Sequence, residues 1–297
     1  MLTPQANITV EPEFNLLLPP RVAMINARLM SDKPAMDARL IDYFANYGGA
    51  LRQFANAPLQ AAAAACTGAS YLAGREREAS LVEELQARHG FAFITAATAV
   101  VAALTVLKAR RIGLVSPYPA GLNEASVAYW RSHGFEPVEI ASVFNTESAF
   151  HPIYSLEGSA ATKALRSLEG KSLDAIVMLG TGMPTLAPIA ETIKWSGAPA
   201  MSCNLCLAWR GGRGAGRERA ERRDAEALAT RRRLGRPPQG ADATLVRGKS
   251  AYHSSCNGST VATRLHRCVA EITLMAAVVA QTIKVRLMKR LLRRKIS

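Results

Sequence analysis

The chain has 297 residues, 49% hydrophobic but only 6% aromatic, with a formal net charge of +14. That length is enough for one large core or two lobes. Five cysteines, odd in number and irregular in spacing, do not read as a disulfide framework and point to a reducing, cytoplasmic setting.

The excess charge is confined to one end. Residues 1–209 hold 16 Lys+Arg and 17 Asp+Glu, a net of −1, and residues 210–297 hold 21 and 6, a net of +15. The start, Met1-Leu2-Thr3-Pro4, has no charged or apolar leader pattern. No apolar run reaches the roughly 20 residues that a membrane span requires.

In chain order, a very short first strand over Met1–Thr3 precedes a helix from Glu11 to Leu18, stopped by Pro19-Pro20. Val22–Leu29 reads as a strand, and Met36–Phe54 as a helix weakened at Gly48-Gly49. Leu59–Cys66 is an apolar strand, followed by a charged helix over 75–88, strand Phe91–Thr95 and an apolar helix Ala97–Lys108. The run Arg75-Glu76-Arg77-Glu78 reads as a solvated helix face. Next come strand Ile112–Ser116, helix Asn123–His133, strand Pro137–Val143 and a loop through Asn145, His151 and Pro152. A helix over Gly158–Leu168, strand Ala175–Leu179, helix Pro188–Trp195 and strand Ala198–Ser202 complete the series. Alternation at these lengths predicts an α/β fold with mostly parallel sheets.

The stretch Ala61 to Tyr71 concentrates the chemistry. An apolar run stops at Cys66-Thr67-Gly68, the position from which a parallel strand presents a side chain to the crevice at its carboxyl end. Backbone N–H groups at a helix start favour the thiolate there. The competing reading is a packed core thiol, since cysteine is among the most buried residue types.

The pattern occurs twice. Val177-Met178-Leu179-Gly180-Thr181-Gly182 repeats it with Gly180 in the place of Cys66, an offset of 114 (180 − 66). Pro4 and Glu11 match Pro117 and Glu124 at an offset of 113 (117 − 4). A third echo sets Gly90, a short strand and Thr95 against Gly197, a short strand and Ser202. Together they predict two similar halves facing each other.

Four motifs in order, Asn7-Ile8-Thr9-Val10-Glu11-Pro12-Glu13-Phe14, Ala65-Cys66-Thr67-Gly68, Val115-Ser116-Pro117-Tyr118 and Gly182-Met183-Pro184-Thr185, resemble the aspartate/glutamate racemase superfamily. Within it they are similar to the maleate cis-trans isomerase and arylmalonate decarboxylase branch, over about residues 1–210. The resemblance implies two pseudo-symmetric Rossmann-like lobes (1–109 and 110–210), a site in the cleft between them, and no metal or organic cofactor. It implies a small carboxylate or dicarboxylate substrate and a homodimer. By the same resemblance Cys66 matches the nucleophile that adds to the alkene, and Tyr118 the tyrosine of the second-lobe loop. Asn7, Thr67, Gly68, Asn145, Gly180, Thr181 and Gly182 match the substrate-binding set. Hydroxyls and N–H groups at helix starts suit carboxylates.

Gly180 departs from the pattern, because it stands where a second-lobe cysteine is expected. Two-thiol racemisation then loses one of its groups. Arylmalonate decarboxylases of this branch work with one cysteine, but on the other lobe. The expected activity is isomerisation through a single thiol, with decarboxylation as the alternative and a carboxylate-binding remnant as the third reading.

From Gly211 the apolar periodicity gives way to Arg, Gly, Ala and Pro, so residues 211–297 read as an irregular basic tail that cannot offset its ordering entropy. The composition also fits an out-of-frame translation of GC-rich coding sequence. Tyr252 is the one aromatic residue after Trp209, so the tail lacks the stacking groups of a single-strand nucleic-acid binder, and membrane association is not expected. Cys203-x-x-Cys206 with His253 and Cys256 has the wrong spacing for zinc, and Cys203 and Cys206 are expected to be packing residues.

Overall fold

The computed structural model describes residues 1–18, 22–144, 152–192, 195 and 197–212. Asn145, His151 and the tail from residue 213 therefore lie outside the described residues. Two four-stranded parallel sheets form the frame. The first has the order β2-β1-β3-β4, with β1 Leu2–Pro4, β2 Ala27–Leu29, β3 Ala61–Ala64 and β4 Ala92–Thr95. The second has the equivalent order β6-β5-β7-β8, with β5 Arg111–Ser116, β6 Glu136–Ser142, β7 Ala175–Met178 and β8 Ala200–Ser202.

The internal repeat is carried into hydrogen bonding. Ala65 N–H donates to Leu2 O at 2.8 Å, and Leu179 N–H donates to Val115 O at 2.8 Å, which reproduces offsets of 114 (179 − 65) and 113 (115 − 2). The third echo is also structural. Thr95 caps α6 (Ala96–Leu107) by accepting from Thr98 N–H at 3.0 Å. Ser202 accepts from Leu205 N–H at 3.2 Å at the start of the helix over 203–212, here α10. Side-chain oxygens of this kind satisfy the N–H groups that a helix start leaves open.

Several boundaries move for physical reasons. Strand Val22–Leu29 contracts to three residues because β1 offers only three partners, Leu2, Thr3 and Pro4. The helix expected over Met36–Phe54 breaks at Asn46, not at the glycines, giving α2 Met36–Ala45, α3 Tyr47–Leu51 and a 3-10 turn at Arg52–Phe54. A short helix, α4 Thr67–Ala73, follows Cys66 directly and precedes α5 Arg75–His89. The charged start of α5 is not a wholly solvated face. Glu78 is buried and accepts from Tyr129 Oη at 2.5 Å, and Arg75 donates to Ser132 O at 2.5 Å. Both contacts reach α7, Ala120–Ser132, of the second sheet's half.

The two halves are joined by buried polar contacts over the strand ends. Glu13, on α1 (Val10–Leu17), accepts from Thr185 N–H at 2.7 Å, from Leu186 N–H at 3.2 Å and from the Thr185 hydroxyl at 3.1 Å. Its second oxygen accepts from Asn204 Nδ2 at 2.7 Å. Thr185 and Leu186 open α9, Leu186–Glu191, so the carboxylate meets N–H groups that have no partner in the helix. Removing one member of such a network leaves the other donors buried without partners. Glu13→Ala is expected to destabilise the fold by about 3 kcal/mol or more, read as a lower urea midpoint of the full chain.

Candidate active site at the facing strand ends

Cys66 is the residue before α4 and has extended backbone angles, φ −148° and ψ 92°. Its side chain is thereby delivered from the end of β3 toward the other half. Thr67 Oγ1 and Tyr118 Oη are 2.8 Å apart, across the halves. Asn7 Nδ2 donates to Thr181 Oγ1 at 3.1 Å, and Thr181 Oγ1 donates to Ala65 O at 2.6 Å. Thr9 Oγ1 donates to Gly182 O at 2.6 Å. Of the residues expected in the site, Asn7, Cys66, Thr67, Gly68, Tyr118, Gly180, Thr181 and Gly182 converge on the facing strand ends.

Their local roles differ. Asn7 Oδ1 accepts from Thr9 N–H at 2.9 Å and Val10 N–H at 3.2 Å, so this side chain closes the start of α1 while its amide reaches Thr181. Gly68 lies in the first turn of α4, with Leu40 of α2 and Leu122 of α7 against it. Gly180 has φ +79°, a left-handed conformation in which an added Cβ would sit 3.0 Å from Pro117 Cγ and 3.3 Å from Tyr118 Oη. The glycine at the end of β7 thus makes room for the Tyr118 hydroxyl. At Gly182 an added Cβ would lie 2.4 Å from Tyr154 Cε1, so the Tyr154 ring lies directly over this backbone.

The thiolate expected from the helix start is overturned by desolvation. Cys66 is 4% exposed, and burial pushes its thiol up to about 12, although the Ala69 N–H pulls it back. One backbone donor does not replace the hydration that the charge loses. The resting group is a neutral thiol. Burial likewise raises Tyr118 well above the usual phenol range, with the Thr67 hydroxyl opposing it, so Tyr118 remains a protonated donor.

Sequence reasoning missed three side chains here. Tyr43 and Tyr154 both lie close enough to Cys66 for its charge to raise them. Together with Arg39, Met36, Leu40, Pro152 and Ile153 they line a cleft. Arg39 donates to Lys33 O at 3.0 Å and to Pro34 O at 2.5 Å. The third is Cys203, expected only to pack, whose thiol lies beside Thr67 and the Gly180 N–H. Its position was readable from the third echo, where Cys203 follows Ser202 as Ala96 follows Thr95. No cluster of three or more His, Cys, Asp or Glu suited to a metal occurs among the described residues. No helix among them is long and apolar enough to cross a membrane.

Two outcomes test this geometry. Because the Cys66 pKa is raised, the thiolate fraction grows about tenfold per pH unit below it. Iodoacetamide labelling of Cys66 should therefore climb without a plateau through pH 7 to 10, and a plateau near neutrality would mean an activated thiolate. Gly180→Cys is expected to cost about 1–3 kcal/mol, since a non-glycine residue is forced into the left-handed region against Tyr118. Chemical denaturation of the variant beside the parent checks it.

A family model described as arylmalonate decarboxylase matches residues 23–226. A maleate isomerase of Nocardia farcinica is 29% identical over 217 residues, covering 68% of this chain and 83% of that protein. A maleate isomerase of Pseudomonas putida is 33% identical over 121 residues, 39% of this chain, and the chain spans only 46% of that relative's length. Among solved structures, the Nocardia farcinica maleate cis-trans isomerase, as a cysteine-to-serine variant with a covalently bound succinylcysteine intermediate, gives a TM-score of 0.62 at 25% identity, covering 72% of this chain and 90% of that one. The Pseudomonas putida maleate isomerase gives 0.64 at 22%, with 70% and 88% covered, which speaks for the fold alone. With the family model spanning more than half of its length, the chain belongs to the arylmalonate decarboxylase family.

Proposed function

We propose that this protein is a cofactor-independent cis-trans isomerase of a small unsaturated dicarboxylate of the maleate type, with Cys66 as nucleophile. The observation that carries the reading is the asymmetry of the strand ends: a thiol after β3 and a glycine after β7. A thiol on the first half fits the isomerase side of the family, whereas a decarboxylase of this branch has its cysteine on the second. The succinylcysteine adduct of the Nocardia farcinica relative supports the same chemistry.

The reaction balances as an addition and its reversal. Cys66 Sγ gives up its proton and bonds to one alkene carbon, and the π electrons move onto the adjacent carboxylate. The neighbouring carbon then takes up a proton, which leaves a single C–C bond free to rotate. Rotation brings the hydrogen that this carbon originally carried to the place of the added one, and its loss as a proton with departure of the sulfur gives the trans diacid. No net oxidation or reduction occurs.

The other groups bind and orient the substrate. The hydroxyls of Thr67 and Tyr118 and the amide of Asn7 are donors for one carboxylate, and the turn Gly180-Thr181-Gly182 supplies backbone N–H groups for the second. Asn145, outside the described residues, joins them by resemblance. Tyr118 stays protonated and stabilises the charge that develops on the carboxylate. Closing these donors over the substrate in a dry site strengthens each of them. The cleft beside Tyr43 and Tyr154 is the route to the thiol, and Arg39 at its wall attracts an anion.

The matching family model favours one second reading. A malonate that loses carbon dioxide leaves a carbanion, which the neutral Cys66 thiol could protonate from one face. Separate incubation of the full chain with maleate and with phenylmalonate, followed by proton NMR, discriminates the two. Fumarate formation is expected, lost by at least about 10³-fold in Cys66→Ala and reduced about 10²-fold in Tyr118→Phe. Turnover of phenylmalonate with maleate left intact would replace this reading by decarboxylation, and binding of both without turnover would leave only a carboxylate-binding protein.

A further inference from the structure

Cys203 is the first residue after β8, and its thiol donates to Met178 O at 3.5 Å. It therefore reaches beneath the end of β7, the strand that carries Gly180. Cys203 has no exposed surface. Thr67 and the Gly180 N–H lie beside its thiol, and Tyr118 is close enough to be influenced by both Cys203 and Cys66. Thr67 and Tyr118 are hydrogen-bonded to each other at 2.8 Å, so both thiols lie in the neighbourhood of one hydroxyl pair.

A second observation marks this cluster as built for a ligand. Tyr71, 4% exposed, sets its ring edge-on to Tyr118 at 6.1 Å, and Cys203 lies near enough to raise it. Its hydroxyl has no partner at full hydrogen-bonding distance among the described residues, although Thr67 lies near enough to lower it. A buried donor left unmade is costly, and a carboxylate bound here would satisfy it.

We propose that Cys203 is the second thiol of the site and the acid that protonates the substrate carbon next to the one Cys66 attacks. This rests on the reading of Cys66 given above. The step balances: the Cys203 S–H bond breaks as the C–H bond forms, and the proton released by Cys66 on attack passes through the Thr67 and Tyr118 hydroxyls to the Cys203 sulfur. After rotation the transfers run in reverse. The thiol that Gly180 cannot supply from the end of β7 is thus supplied from the neighbouring strand. Burial holds Cys203 near 12, which keeps the acid protonated between turnovers.

The test compares the parent full chain with Cys203→Ser and, as a buried-thiol control, Cys206→Ser. With maleate, Cys203→Ser is expected to lose about 10²-fold or more in kcat and to build up the Cys66 adduct by mass spectrometry, while Cys206→Ser stays within about threefold. In deuterium oxide the parent should wash deuterium into fumarate and Cys203→Ser should not. Activity of Cys203→Ser within about threefold of the parent, with unchanged wash-in, overturns the proposal. If the parent does not turn over maleate, or the variant does not fold, slow labelling of the parent by N-ethylmaleimide with and without malonate decides. Protection of both thiols supports a two-thiol site. Protection of Cys66 alone overturns the role of Cys203 and leaves the Cys66 reading standing, and protection of neither overturns both.

Discussion

The buried carboxylate of Glu13 is the contact on which the site depends. Two backbone N–H groups, the Thr185 hydroxyl and the Asn204 amide point at it from the second half. Burial pushes this carboxyl up, and those donors pull it back. Both halves present polar backbone at their strand ends, which could not be buried without such partners. Asn204 also donates to Thr181 O at 3.0 Å, so the link that holds the halves together also fixes the turn facing Cys66. Stability and site geometry here are one network.

Closure has a chemical consequence. The contacts that bring Cys66, Thr67 and Tyr118 together also exclude water, and exclusion makes the thiol and the phenol hold their protons. A helix start and one N–H do not overcome that desolvation. At rest the two thiols and the Tyr118 phenol are therefore neutral, each holding its proton. Burial and hydrogen bonding compete at every titratable group in the cluster, and burial wins at the thiols and at Tyr118.

The two sheets share one strand order and one hydrogen bond between matching strands, yet the equivalent positions have diverged chemically. Cys66 faces Gly180, and Ala96 corresponds to Cys203. Gly180 adopts φ +79° and leaves its side-chain space to the Tyr118 hydroxyl. Symmetry of the backbone has survived because sheet pairing repeats in each half. Symmetry of the side chains has not, since one strand end carries a thiol and the other a glycine.

By itself, the sequence determined what local pattern can determine. Strand and helix alternation, the offsets of 113 and 114, and the strand ends bearing Cys66 and Gly180 were all legible from apolar periodicity and turn residues. The short β1 and the break at Asn46 were not, because strand length depends on the partner available and a helix break on what packs against it. Only the tertiary structure decided that Glu13 ties the halves together, that Glu78 turns inward to Tyr129, and that Tyr154 covers Gly182. It also decided that the thiols stay neutral and that Cys203 lies beside Thr67. Glu13 and Thr185 are 172 residues apart, and Thr67 and Tyr118 are 51 apart. Desolvation is a property of everything that closes over a group, so no stretch of sequence around Cys66 could have specified its ionisation.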